Sequence, residues 1–166
     1  MNEELYIRRD RMRYTKNTLS STLVIIAIVF NVFYFINIYN SDVGHNVGNF
    51  YYQIRTGASI LYNLIFMLAA FLSSEGVKNY KIGYCGALIV LGVLQIVRIF
   101  ILPAQASAAE VSIGGTVYRV MENAQHVRVV VYLLVSAACC LAGALIGIVR
   151  CRELSAHLAE IGKKTA

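Results

Sequence analysis

Four long apolar runs are the feature of this sequence that most restricts its fold. Each run approaches the roughly 20 residues that a helix needs to cross about 30 Å of hydrocarbon. Because a backbone inside lipid must satisfy its own hydrogen bonds, each run is predicted to be a helix. The sequence therefore predicts an all-α integral membrane protein, a four-transmembrane-helix antiparallel bundle in a single membrane domain (residues 1–166). The predicted spans are residues 19–39, 57–74, 83–102 and 129–149.

The composition excludes the other broad classes. Hydrophobic residues make up 58% of the chain and charged residues 14%, whereas soluble domains have about 45–50% apolar and about 25% charged residues. The first run is too long for the apolar region of a signal peptide, so it is predicted to be an uncleaved signal anchor. The net charge is +6, and the basic residues lie beside the apolar runs. They are not interleaved with aromatic residues as in proteins that bind single-stranded nucleic acid. The predicted partner is the lipid bilayer, with no nucleic acid.

The distribution of lysine and arginine predicts the orientation in the membrane. The two tails and the loop 75–82 hold eleven of the fifteen Lys and Arg residues, whereas the two other connections hold three. Cytoplasmic segments carry this kind of excess. We therefore expect a multi-pass protein of the plasma membrane with both termini cytoplasmic. The predicted cytoplasmic tails are residues 1–18 and 150–166, and the predicted outer loops are residues 40–56 and 103–128.

The second outer loop contains a pattern typical of a β-hairpin. β-prone residues flank Gly114 and Gly115 across residues 111–118, and paired glycines suit a two-residue turn. Two strands alone are marginally stable in water. We therefore expect this short hairpin to rest on the membrane surface, on the first outer loop or on a partner.

The C-terminal tail has the spacing of a short amphipathic helix. Leu154, Leu158 and Ile161 share one face, and charged residues fall on the others. We expect a cytoplasmic amphipathic C-terminal helix. Continuation of the fourth span is the simplest arrangement, and lying on the bilayer or docking on a partner are the alternatives.

Each apolar run also carries one face of small or polar residues. Counted inward from the outer ends, one polar residue in each run lies roughly 10 Å deep at a rise of 1.5 Å per residue. Arg98 lies one turn nearer the outer surface than Gln95. Small residues allow close helix approach, so we predict helix packing at Gly92, Gly143 and Gly147. The predicted intramembrane polar layer consists of Asn31, Asn63, Gln95, Arg98 and Ser136, with Tyr34 and Ser59 on the same faces.

Three alternatives account for this polar layer. In the first, the amide side chains bond one another and fix helix register while Arg98 extends to the surface. In the second, the layer forms a pocket open to the outside with Arg98 as an anion-binding group. In the third, part of the layer contacts another subunit. No acidic residue lies within any run. The candidate partners of Arg98 are loop carboxylates (Asp42, Glu110 or Glu122), a lipid phosphate or an anionic ligand.

The sequence contains no pattern typical of catalysis or of cofactor binding. The four cysteines include no CxxC pair, and the three histidines lie outside the apolar runs. Neither a nucleophile elbow nor a phosphate-binding loop nor a metalloprotease helix is present. We therefore expect no catalytic residue, no metal site and no cofactor.

Two functions remain from different classes. The first is a non-enzymatic subunit or accessory factor of a membrane complex, which assembles with itself or with another membrane subunit. The second is a small transporter, channel or lipid- or anion-binding protein that uses the polar layer near Arg98.

Overall fold

The computed structural model describes residues 3–39, 50–108, 110–113, 116–119 and 121–165. Four stretches of it are helices long and apolar enough to cross a membrane, namely Thr18–Tyr39, Thr56–Lys78, Ile82–Ala108 and Asn123–Gly162. The predicted four membrane-spanning helices are thus confirmed. The elements are α1 (Glu3–Arg11), α2 (Thr18–Tyr39), α3 (Phe50–Lys78), α4 (Ile82–Ile99), α5 (Leu102–Ala108), β1 (Glu110–Ile113), β2 (Thr116–Arg119) and α6 (Asn123–Thr165).

The helix α6 packs along both α2 and α4, and α3 packs against the same two helices. The buried apolar side chains form two clusters. One lies toward the end of the bundle that carries both termini, which we call the termini side, and includes Val24, Phe66 and Cys140. The other lies toward the opposite side and includes Ile38 and Leu133. Large apolar side chains such as Leu68 and Leu145 cover the outside of the bundle, as contact with lipid requires.

The three predicted packing glycines lie where helices approach closely. A Cβ atom on Gly92 would lie 2.9 Å from Leu141 Cγ and 3.3 Å from the Ala137 carbonyl oxygen. A Cβ atom on Gly143 would lie 3.2 Å from the Ser20 carbonyl oxygen, and one on Gly147 would lie 2.8 Å from Cys85 Sγ, the nearest atom in each case. Small residues at these positions bring α6 close to α2 and α4.

The third span ends differently from the sequence-based expectation. The predicted third span ends at residue 102, just before Pro103, but α4 ends at Ile99 and Pro103 lies in the first turn of α5. The first turn of a helix tolerates proline because its N–H groups have no partner within the helix. A short break at residues 100–101 therefore separates α4 from α5 within the third spanning stretch, Ile82–Ala108.

The helices α3 and α6 extend beyond the predicted spans. The helix α3 begins at Phe50, ahead of residue 57, and α6 runs unbroken from Asn123 past Arg150 to Thr165. The C-terminal tail therefore continues the fourth helix, which is the simplest of the three arrangements considered. The short helix α1 was not expected, because it contains many charged residues and few apolar ones.

Two short strands follow α5. Strand β1 pairs with β2 in antiparallel register, with Glu110 opposite Arg119 and Ile113 opposite Thr116. The expected turn residues Gly114 and Gly115 lie outside the described residues. The hairpin turn and the surface on which it rests stay predictions.

Candidate functional site

Arg98 lies in the last turn of α4 and is buried, with 5% of its surface exposed. Its Nη1 atom donates to Asn63 Oδ1 at 2.7 Å and to Asn31 Oδ1 at 3.3 Å. Its Nη2 atom donates to Ser59 Oγ at 3.1 Å. The guanidinium group therefore joins α4 to both α2 and α3 through neutral acceptors.

Two tyrosine rings also contact the guanidinium group. The Arg98 Cζ atom lies 4.2 Å from the ring centroid of Tyr34 and 4.8 Å from that of Tyr62. Both distances fall within the roughly 6 Å over which an aromatic ring attracts a cation. The charge is thus surrounded by amide oxygens, a hydroxyl group and aromatic rings.

Gln95 connects the same region to α6. Its Nε2 atom donates to Asn31 Oδ1 at 2.9 Å and to Ser136 Oγ at 3.3 Å. Ser136 Oγ in turn donates to the carbonyl oxygen of Ala27 on α2 at 2.9 Å. All four spanning helices therefore contribute to one hydrogen-bonded network.

The structure brings together all five residues of the predicted polar layer. Asn31, Asn63, Gln95 and Ser136 are fully buried, and each is linked to another member by the bonds above. The layer lies between the two apolar clusters, since Asn31 lies between Ala27 and Tyr34 on α2. The depth of these residues could be counted from the outer ends of the apolar runs because all four runs cross the same hydrocarbon thickness.

Tyr62 is the residue of the site that sequence analysis missed. It precedes Asn63 on α3, so it lies about 100° around the helix from the predicted polar face. Its ring still reaches Arg98. Tyr34 and Ser59 lie on the predicted faces, but their contacts with the guanidinium group depend on side-chain directions that spacing does not give.

The described residues place no carboxylate against Arg98. Glu122 is exposed and forms no ion pair. Asp42 and the side chain of Glu110 lie outside the described residues. The carbonyl end of α4 supplies partial negative charge near Arg98, which offsets only part of a full positive charge.

Several polar atoms of this region are buried without a hydrogen-bond partner in the described part of the chain. They include Asn31 Nδ2, which can only donate, and Gln95 Oε1, which can only accept. The hydroxyl groups of Thr56 and Tyr62 are in the same state. Buried polar groups are nearly always paired with protein, water or a ligand, so the layer has unfilled bonding capacity.

The cysteine, histidine and acidic side chains of the described residues do not come together as a metal site would require. They contain no group of three or more His, Cys, Asp or Glu side chains that could hold a metal ion. The four cysteines are free.

The fold and this site define a class: a small helical membrane bundle with a buried cation in a polar layer. Comparison with family models, with curated proteins and with solved structures finds no match to the chain.

Proposed function

We propose that this chain is a non-enzymatic membrane protein that binds a small monovalent anion beside Arg98. The observation that supports the proposal is a guanidinium group buried among neutral residues. Two of the residues that contact it, Asn31 and Tyr62, each have a polar atom without a partner among the described residues. This is the second of the two functions that the sequence left open, narrowed to anion binding.

Arg98 keeps its positive charge although its side chain is buried. A guanidinium group cannot release its proton in a protein, so burial cannot neutralise it as it can a lysine or a carboxylic acid. Burying a charge without a counter-charge is expensive. A bound anion supplies the counter-charge, and one positive charge with a few neutral donors suits a monovalent ion. Ionisable residues within membrane spans mark ion or substrate sites by default.

The test measures the melting temperature of the purified protein in nanodiscs. The buffer begins with a large organic anion, which small anions then replace at constant ionic strength. A ligand that binds only the folded state raises the melting temperature in a saturable manner. We expect this response to chloride, bromide or nitrate in the wild type. We expect it to be lost in Arg98→Gln and kept in Arg128→Gln, the matched control on an exposed arginine of α6.

A second variant covers the case in which Arg98→Gln does not fold. Tyr62→Phe removes a hydroxyl group that has no hydrogen-bond partner among the described residues and leaves the ring. We expect it to keep the anion-free stability and to weaken the anion response. An unsaturable response in the wild type, or an unchanged response in both variants, would refute the proposal.

A loop carboxylate is the competing source of counter-charge. If Asp42→Asn or Glu110→Gln creates or strengthens the anion response, that carboxylate occupies the site in the resting protein. The proposal is then wrong for the wild type. We expect both variants to respond to anions as the wild type does.

The second candidate function is a non-enzymatic subunit of a membrane complex, assembled with itself or with another membrane protein. The helix α6 extends past Arg150 to Thr165, and α1 packs on it. Ile7 and Leu158 remain exposed on these two helices, which favours this candidate. Native mass spectrometry from mild detergent tests it: a monomer without companions contradicts it, and a stable complex supports it.

The orientation belongs to the same proposal. We place both termini in the cytoplasm and the protein in the plasma membrane. The even number of spanning helices supports placing the termini on one side, and the excess of Lys and Arg on that side supports the cytoplasm.

A further inference from the structure

A basic cavity lies at the termini side of the bundle, far from the polar layer. Its volume is about 170 Å³, and its lining includes Arg8, Arg11, Lys16 and Arg150 together with Tyr80 and Glu153. Four cationic side chains thus face one carboxylate. The ion pairs recorded among the described residues use Asp10 and Glu75 as their carboxylates and include none of these four cations.

Buried hydrogen bonds fix one wall of this cavity. Arg150 Nη1 donates to Asn17 Oδ1 at 2.8 Å, and Asn17 is fully buried. The Asn17 N–H donates to the Lys78 carbonyl oxygen at 3.0 Å, and Asn17 Nδ2 donates to Ser20 Oγ at 2.9 Å. Asn17 therefore ties the ends of α2, α3 and α6 together and holds Arg150 in place at the cavity wall.

An apolar groove continues from the basic cavity along α6. This second cavity has a volume of about 270 Å³ and shares Arg8, Arg150 and Glu153 with the first. Its other lining residues are Leu145, Ile146 and Val149. Leu145 is 61% and Val149 56% exposed on the lipid-facing surface. A cationic compartment thus adjoins an apolar one at the end of a membrane span.

We infer that these two cavities form a binding site for an anionic phospholipid. The phosphate group binds among Arg8, Arg11, Lys16 and Arg150, and an acyl chain lies along the groove of α6. Basic cavities between spanning helices at the cytoplasmic side bind lipid phosphates. The adjoining groove favours a lipid over free phosphate, because free phosphate leaves the apolar compartment unused.

Lipid binding would hold α1 in place. Arg8 and Arg11 both belong to α1, whereas Arg150 belongs to α6. The only aromatic contact recorded between these helices among the described residues joins Tyr6 to His157, with ring centroids 5.1 Å apart. His157 Nε2 also lies 3.7 Å from Asp10 Oδ1 of α1. A phosphate group shared by both helices adds a further attachment of α1 to the bundle.

The test is native mass spectrometry of the delipidated full-length protein titrated with phosphatidylglycerol, phosphatidylcholine or inorganic phosphate. The variant Arg8→Gln/Arg11→Gln removes two cavity cations from the exposed surface of α1. The variant Arg9→Gln/Arg13→Gln is its matched control, because it removes the same charge from residues that do not line the cavity.

We expect the wild type to bind phosphatidylglycerol more tightly than phosphatidylcholine. Each cation near a membrane surface contributes roughly a fivefold change in affinity, so the cavity variant should lose about 25-fold and the control less than about threefold. The variant Leu145→Ala/Val149→Ala should weaken phosphatidylglycerol binding and leave phosphate binding unchanged.

Three results would overturn the inference. Equal losses in the cavity variant and its control would show general charge attraction without a site. Equal affinities for the two lipids would show that the net negative charge of the lipid is not recognised, since phosphatidylcholine has the same phosphate group with a compensating cation. Inorganic phosphate that binds as tightly as phosphatidylglycerol would assign the cavity to free phosphate.

Discussion

Arg98 shows how a single side chain determines the chemistry of this bundle. Its charge is permanent, its position is buried, and its hydrogen-bond partners are the neutral residues Asn31, Asn63 and Ser59. The stability of the polar layer and the anion binding that we propose for it therefore depend on the same group.

Substitution of Arg98 should separate its charge from its geometry. Arg98→Leu leaves Asn63 Oδ1 and Ser59 Oγ without their donor, and we expect it to lower the free energy of unfolding by about 1–2 kcal/mol. Arg98→Lys keeps the charge but loses the fork of donors, so it should retain part of the stability. Thermal unfolding in nanodiscs measures both. A more stable Arg98→Leu variant with an unchanged anion response would contradict this account.

Ser136 provides a test that leaves the charge in place. Ser136→Ala removes the acceptor of Gln95 and the donor to the Ala27 carbonyl oxygen, so it should destabilise the protein by about 1 kcal/mol. Ser155→Ala is the control on the same helix, since its hydroxyl donates to the Cys151 carbonyl oxygen of its own helix and to no other helix among the described residues. It should have little effect. Equal losses in the two variants would show that the interhelical bonds of Ser136 add no stability.

At the scale of elements, close helix contacts at glycine residues hold the polar layer in register. The helix α4 carries two glycines in different surroundings. Gly92 faces Leu141 and the Ala137 carbonyl oxygen on α6, whereas Gly86 has no such neighbour within 4 Å. The two positions form a matched pair within one helix.

Adding one methyl group at each position should have opposite consequences. Gly92→Ala forces Leu141 or the α4–α6 spacing to shift, and overpacking of this kind destabilises by roughly 1–3 kcal/mol. Gly86→Ala meets open space and should leave stability unchanged or slightly raised, because alanine favours helix more than glycine does. Unfolding midpoints in the same detergent compare them, and a neutral Gly92→Ala would refute close packing there.

The spanning elements could be predicted from the sequence, whereas the shorter ones could not. Hydrocarbon thickness imposes a length on each apolar run, so α2 was predicted to within one residue. The helix α1 depends instead on tertiary contact with α6 through Tyr6 and His157, which no local pattern reveals. The break before α5 arises because Pro103 lies in the first turn of a new helix, and the sequence alone does not show where that helix begins.

The polar layer divides in the same way. Depth and helical spacing, which can be counted along each apolar run separately, predict its members Asn31, Asn63, Gln95 and Ser136. The contact of Tyr62 with Arg98 and the assembly of the basic cavity around Arg150 depend on rotamers and on packing between distant segments. Periodicity contains no information about either.

At the scale of the whole molecule, the two proposed sites lie at different levels of one bundle. The polar layer lies between the two apolar clusters, and the basic cavity lies at the end that carries both termini. On the orientation proposed here, the first site is nearer the outer surface and the second is at the cytoplasmic leaflet.

Reporter cysteines test this orientation directly. In a variant without the four native cysteines, Gly115→Cys should react with a membrane-impermeant reagent in intact cells. Arg13→Cys should react only after the membrane is opened, because the positive-inside rule places the N-terminal tail in the cytoplasm. Labelling of Arg13→Cys in intact cells would show that the topology is inverted.

The most direct test of the anion proposal is a crystal structure determined from bromide-containing buffer, with data collected at the bromine absorption edge. The account predicts an anomalous difference peak within hydrogen-bonding reach of the Arg98 guanidinium group, with Asn31 Nδ2 or the Tyr62 hydroxyl turned toward it. A loop carboxylate or ordered water at that position, with no anomalous peak, would contradict the account.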